Sequence, residues 1–113
     1  MNEVDLKHIR NMVQAAHAAL VFAEGKTQER LFSDTRLVFA LVKALDLVGN
    51  EALNVSTEGR EQSAQINWQY VTALPEKIYQ ENDDIDLSVV WNAVTNHLPT
   101  LIAQLQHLIL IHS

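Results

Sequence analysis

Apolar side chains in this chain recur at intervals of three and four residues, and that period constrains the fold more than any other feature. Within residues 4–23, Leu6, Ile9, Val13, Ala16 and Leu20 follow a 3, 4, 3, 4 spacing, which lines one face of a helix. Gly25 follows as a C-terminal stop. The stretch "KTQERLF" predicts a short helical turn, and Ser33 offers an N-cap for a long second helix. That helix carries Leu37, Leu41, Ala44 and Val48 on one face, with Val38 and Leu45 beside them. Gly49 weakens it by about 1 kcal/mol relative to alanine, so a glycine kept there points to close helix packing rather than a break. The polar stretch "NVSTEGREQSAQ" reads as a loop between two helical halves.

A third helix is predicted to start near Asn67 and to carry Trp68, Val71 and Ile78. "ENDDID" reads as a loop, with Asp86 as the N-cap for "LSVVWNAV". Val90, Trp91, Val94 and Leu98 continue that face. Pro99 cannot donate a helical N–H, so a kink or a new helix is expected at Leu98–Pro99. Leu101, Ile102, Leu105, Leu108 and Ile109 mark the last helix. Trp68, Trp91 and Leu98 are the expected structural anchors, the two tryptophans as core or dimer-interface residues. The sum is an all-α, up-and-down bundle of four to five helices in one domain spanning 1–113. Period-two alternation, the strand signal, is absent.

Composition narrows the function classes. A chain of 113 residues buries roughly two-thirds of its unfolded surface, enough for a core without staples. There are no cysteines, which excludes disulfides and thiolate metal sites and suits a reducing compartment. The N-terminus "MNEVDLKHIR" lacks the pattern of a signal peptide. Apolar runs such as "LILI" fall far short of the ~20 residues of a membrane span. A soluble cytoplasmic protein with no membrane contact is expected. Fourteen acidic against eight basic side chains give a net charge of −6. That balance disfavours broad nucleic-acid binding and favours a basic partner or simple solubility.

Recognisable catalytic spacings are missing. There is no Glu-x-x-His pair, no His-x-x-x-His and no glycine-rich phosphate loop. His8, His17, His97, His107 and His112 are scattered and read as surface or rim residues. "DDID" lacks the glycine and terminal glutamate of a calcium loop, and a solvated helix cap explains it better. No metal and no cofactor is implied.

"INWQYV…DIDLSVVWNAVTNHLPTLIAQL" nevertheless resembles the HepT-like branch of the HEPN domain family. Ile66, Asn67 and Trp68 match its first element. Ile85, Asp86, Val90, Trp91, Leu98, Pro99, Leu101 and Leu105 match its last. "DLKHIRNMVQAA" and "KALDLVGNEA" resemble its N-terminal half. The resemblance implies a homodimeric helical bundle. Many such proteins are metal-independent ribonuclease toxins, neutralised by a minimal nucleotidyltransferase that in studied cases adds AMP to a motif tyrosine. In an Arg-x4-His-x-Tyr motif, arginine and histidine from both protomers line a cleft at the dimer interface. Histidine can shuttle a proton near neutral pH, and arginine can stabilise charge on phosphate.

Gap-free alignment between Trp68 and Asp86 puts the arginine position at Pro75, the histidine at Gln80 and the tyrosine at Asn82. Proline supplies no charge and no donor. Glutamine cannot shuttle a proton at neutral pH. Asparagine cannot accept AMP as tyrosine does. Lys77, Tyr79 and Asp83 lie nearby, but Lys77 sits roughly 200° around a helix from Pro75 and does not simply replace the arginine. The stretch "ALPEKIYQEN" therefore reads as a former catalytic helix in which a proline became tolerable. Alternatively, a helix simply starts at Leu74–Pro75. The reading that follows is a HepT-like protein without ribonuclease activity, acting through a nucleotidyltransferase partner. An active ribonuclease toxin and a helical adaptor unrelated to toxins are the alternatives. RNA is a candidate partner in the first two readings, by occupancy or as substrate, though the net charge does not favour it.

Overall fold

The computed structural model describes residues 1–112. Six α-helices follow in order: α1 (Glu3–Ala23), α2 (Thr35–Leu53), α3 (Thr57–Glu61), α4 (Trp68–Lys77), α5 (Leu87–Asn92) and α6 (Leu98–His112). A 3-10 turn at Gln28–Phe32 leads into α2, and a π-helical turn at Ala93–His97 joins α5 to α6. Helix α1 packs on α2 and α6, and α2 packs on α4. Among the described residues the β-type pairing is one isolated bridge, Tyr79 to Ile85. The chain is an all-α bundle, as its periodicity predicts. None of these helices is long and apolar enough to cross a membrane.

The helices form where the apolar spacing predicts, with local departures. Asn2 caps α1 by accepting from the Asp5 N–H at 2.7 Å. Gly25 takes φ +73 just beyond α1, the left-handed geometry that glycine tolerates without a side-chain clash. Asp34, not Ser33, caps α2: its carboxylate accepts from the Leu37 N–H at 3.0 Å. That bond, chiefly, and then the pairing with Arg30 hold the Asp34 carboxyl below its ordinary range. Ser33 instead closes the preceding 3-10 turn, where its hydroxyl donates to the Arg30 carbonyl. The α2 face Leu37, Val38, Leu41, Ala44, Leu45 and Val48 is buried throughout.

"NVSTEGREQSAQ" is not simply a loop. It contains α3, capped by Ser56, whose hydroxyl accepts from the Gly59 N–H at 3.0 Å. The cap is itself held by Asp5 of α1, 3% exposed. The Asp5 carboxylate accepts from the Ser56 N–H at 2.9 Å and from the Ser56 hydroxyl at 2.6 Å. Gly59 lies so close to Asp5 that a Cβ there would stand 2.5 Å from the carboxylate. Asp5→Asn keeps an acceptor for the Ser56 N–H but loses the charge-assisted bond from the hydroxyl. A loss of about 1 kcal/mol in urea unfolding is expected. An unchanged midpoint would show that the lock contributes nothing.

Helix α4 runs through Pro75 instead of starting at it, which removes the alternative of a helix beginning at Leu74–Pro75. Proline here stands in the last turn, where it leaves the Val71 carbonyl without its helical N–H, and packs its ring against Gly49 of α2. The glycine that the sequence flagged for close packing is the residue that receives the proline. At the other proline, the chain stays right-handed helical through Ala93 and Leu98. Pro99 cannot donate to the carbonyl four residues earlier, and the helix widens to a π turn just before it. Val90, Val94 and Leu98 are fully buried, but Trp91 is only partly buried against the core. Trp68 fills the core role, one of the two expected of the tryptophans.

Candidate functional site

The positions singled out by the motif comparison lie at the end of α4 and in the turn after it. Pro75 is half-buried and faces α2. Gln80 and Asn82 are exposed and lie beyond the helix. The Gln80 N–H donates to the Asp84 carbonyl at 2.7 Å, and Asp86 N–H donates to the Ile78 carbonyl at 2.7 Å. These bonds flank the Tyr79–Ile85 bridge and fold Gln80–Asp84 into a tight reversal. Asp83 takes φ +65 at its tip. The Asn82 amide donates to the Asp84 carboxylate at 2.8 Å, so its side chain is committed within the turn. Tyr79 is 40% exposed.

This turn carries Glu81, Asp83 and Asp84 on its exposed surface. Its carboxylates give it negative charge, which disfavours contact with a phosphate backbone. The candidates therefore split. Gln80, Asn82 and Asp83 share the turn, Pro75 turns to the helix interface, and Lys77 points elsewhere.

Lys77 belongs to a second locale. Its ammonium lies 5.0 Å from the Tyr70 ring centroid, within reach of a cation–π attraction. Tyr70 in turn stacks on His97, with centroids 4.2 Å apart and planes 29° from parallel. Burial pushes the Tyr70 hydroxyl above the ordinary tyrosine value. Tyr70 comes from the first turn of α4, ordered by Asn67, whose side chain accepts from the Tyr70 N–H at 3.1 Å. His97 ends the π turn.

Between these elements lies a cleft of about 220 Å³. Val71, Leu74, Leu98 and Leu101 form its apolar floor, and Gln65, Asn67, Asn96 and Gln104 stand around it. Gln104 ties the walls together by donating to the Gln65 carbonyl at 3.1 Å. A second hollow, shared through Asn67 and Tyr70, extends from the cleft to Lys77.

Sequence reasoning missed Tyr70 and His97 because they are distant in the chain and fit no spacing rule. The available signal was the "HLP" step, where a proline forces the preceding helix to adapt and a histidine stands beside it. The other histidines do not join this group. His8 pairs with Glu51 at 2.6 Å between α1 and α2, and His112 lies 3.5 Å from the N-terminal amine. Among the described residues no cluster of His, Asp and Glu could hold a metal ion.

The fold and site define an all-α bundle with an acidic turn at the end of α4 and a polar cleft between α4 and α6. The chain belongs to the HepT-like family: the profile described as "Ribonuclease HepT-like" matches residues 4–108. A candidate RNase of Caldanaerobacter subterraneus subsp. tengcongensis is 20% identical over 102 residues, covering 90% of this chain and 91% of its own. The probable ribonuclease HepT of Thermococcus cleftensis is 20% identical over 94 residues, covering 83% of this chain and 86% of its own. No solved structure matches at comparable significance.

Proposed function

We propose that this chain is a HepT-like protein of a toxin–antitoxin pair that no longer cleaves RNA and acts by binding a minimal nucleotidyltransferase. In this reading it is a single cytoplasmic domain that works as a homodimer. One observation carries the proposal: the positions aligned with the family's arginine, histidine and tyrosine hold Pro75, Gln80 and Asn82. Pro75 is engaged with Gly49, and Asn82 with Asp84. None of the three supplies a cation or a proton shuttle. The carboxylates of the surrounding turn would also repel a phosphate backbone.

Cleavage of a mixed tRNA and mRNA pool by the purified protein, without metal, tests this. The natural protein is expected to leave the pool intact. The variant Pro75→Arg/Gln80→His/Asn82→Tyr is expected to cut, because it restores a charge stabiliser and a base on the same scaffold. Cutting by the natural protein overturns the proposal and favours an active ribonuclease toxin. The partner half is tested by co-purification with the product of a neighbouring small nucleotidyltransferase gene. A chain that binds no such protein, from a gene with no such neighbour, is the helical adaptor instead.

A further inference from the structure

We infer that the outer face of the α1–α2 pair is a contact surface for a second copy of this chain, joined about a two-fold axis through Leu47. The face gives the homodimer of the proposed reading a location, and it lies away from the replaced motif. Gly49 meets Pro75 of α4, whereas Leu47, two residues earlier, stands roughly 200° around α2. By helical register Arg36, Ala40, Lys43, Leu47 and Glu51 share one stripe of α2. None of them is buried. Beside Leu47, Ala15 and Ala18 of α1 leave a shallow hollow of about 360 Å³.

The composition of this face is that of an interface. Leu47 is 41% exposed, and Phe22 and Phe39, at one end of the same face by register, are 43% and 61% exposed. From Asn11 to Ala23, helix α1 contains no Asp, Glu, Lys or Arg. Interface cores are depleted of charge and enriched in aromatic side chains. The chain carries net −6, so two copies repel each other at most surfaces and meet best where carboxylates are few.

The charge pattern selects a second copy as the occupant. Lys43 stands four residues before Leu47, and Glu51 stands four residues after it. In an isologous contact, residue i meets residue j and j meets i. Two antiparallel copies of α2 that cross at Leu47 therefore set Lys43 of each copy against Glu51 of the other. The stripe is its own complement, and a parallel arrangement would set like charge against like. Both groups can engage. Lys43 attracts Asp46 one turn along but makes no ion pair among the described residues. Glu51 uses its Oε2 for His8 at 2.6 Å, and its Oε1 makes no hydrogen bond there. Leu47 of each copy then meets the alanine-lined hollow of the other.

Sedimentation equilibrium of the full chain, from micromolar to millimolar concentration, tests this. The natural chain is expected to form dimers. Lys43→Glu and Glu51→Lys are each expected to weaken them by about tenfold, because each places two like-charge pairs in the contact. The double reversal Lys43→Glu/Glu51→Lys is expected to return the affinity to within about threefold of the natural chain. Leu47→Asp, at an exposed position, is expected to leave a folded monomer, with the fold checked by circular dichroism. His8→Ala removes the bond that Glu51 makes within the chain and is expected to leave association unchanged. A chain that stays monomeric at millimolar concentration overturns the inference. So do dimers that neither reversal nor Leu47→Asp weakens, which places the contact elsewhere, and a double reversal no tighter than the single ones. A loss from His8→Ala equal to that from Glu51→Lys assigns the effect to α1–α2 packing and overturns it as well. Failure here leaves the absence of RNA cleavage standing, and cleavage by the natural chain leaves this contact standing.

Discussion

Trp68→Ala is expected to lower the stability of the fold by about 3–5 kcal/mol, the range for emptying a buried tryptophan site. Against a total of roughly 5–15 kcal/mol, that is a fifth of the stability or more. The ring is 8% exposed and stands at the joint between α3 and α4. Its Nε1–H donates to the Ser63 carbonyl at 3.1 Å and lies 3.2 Å from the Ser63 hydroxyl. Ser63 is fully buried, and its hydroxyl donates to the Gly59 carbonyl at 2.6 Å. The Arg60 guanidinium lies 5.9 Å from the indole centroid while also donating to the Ala52 carbonyl at the end of α2. Removing the indole thus leaves a cavity and loosens three connected segments.

Trp68→Phe separates volume from hydrogen bonding. The Ser63 carbonyl still receives the Ile66 N–H at 3.1 Å, so no buried acceptor is stranded and a cost of only about 1 kcal/mol is expected beyond the smaller ring. Trp91→Ala provides the contrast. Its ring is only partly buried, and a loss of about 1–2 kcal/mol is expected. Urea unfolding followed by helical circular dichroism measures all three. Equal losses for Trp68→Ala and Trp91→Ala would show that the core is centred elsewhere.

The two tryptophans also show what the sequence could and could not convey. Both stand in apolar helical patterns, and periodicity ranks them alike. The difference lies in the tertiary packing, which leaves Trp91 only partly buried beside Val90 and Val94. Val90 and Val94 remain inside while Trp91 moves toward the rim. Periodicity captured α1, α2, α4 and α6 because their burial follows from residues three and four apart. It failed for α3, whose cap depends on Asp5, 51 residues away from Ser56. The HepT-like resemblance was legible because many of the matched residues are core and cap positions, Trp68, Asp86 and Leu98 among them. The cleft was not, since Tyr70 of α4 and His97 of the π turn are distant in the chain and meet only in the folded bundle. The stretch holding Gln80 and Asn82 was legible only as a loop, because its tight turn is made by backbone bonds at Gln80 and by the Asn82 side chain on Asp84.

The proline within "ALPEKIYQEN" gives the second large effect. A Cβ on Gly49 would overlap both Cδ and Cγ of Pro75 and stand 3.2 Å from the Val71 carbonyl. A pyrrolidine ring cannot swing aside as a long flexible chain can. Overpacking of this kind costs about 1–3 kcal/mol. Ala in place of Gly returns about 1 kcal/mol through helix propensity. With the overlap falling on a rigid ring, the upper figure applies and a net loss of about 2 kcal/mol is expected for Gly49→Ala.

Pro75→Ala should remove most of that penalty. It deletes the ring and restores an N–H opposite the Val71 carbonyl, so the double variant Gly49→Ala/Pro75→Ala is expected to be more stable than Gly49→Ala alone. A coupling of about 1–3 kcal/mol is expected from the double-mutant cycle, the scale for residues in direct contact. Additive effects would show that Gly49 and Pro75 do not press on each other. The same geometry explains why Pro75→Arg is a sound element of the revertant. Arginine frees the Gly49 surface rather than crowding it, and it returns the backbone donor that proline withheld. A revertant that folds and still does not cut RNA would then report on chemistry, not on a damaged helix.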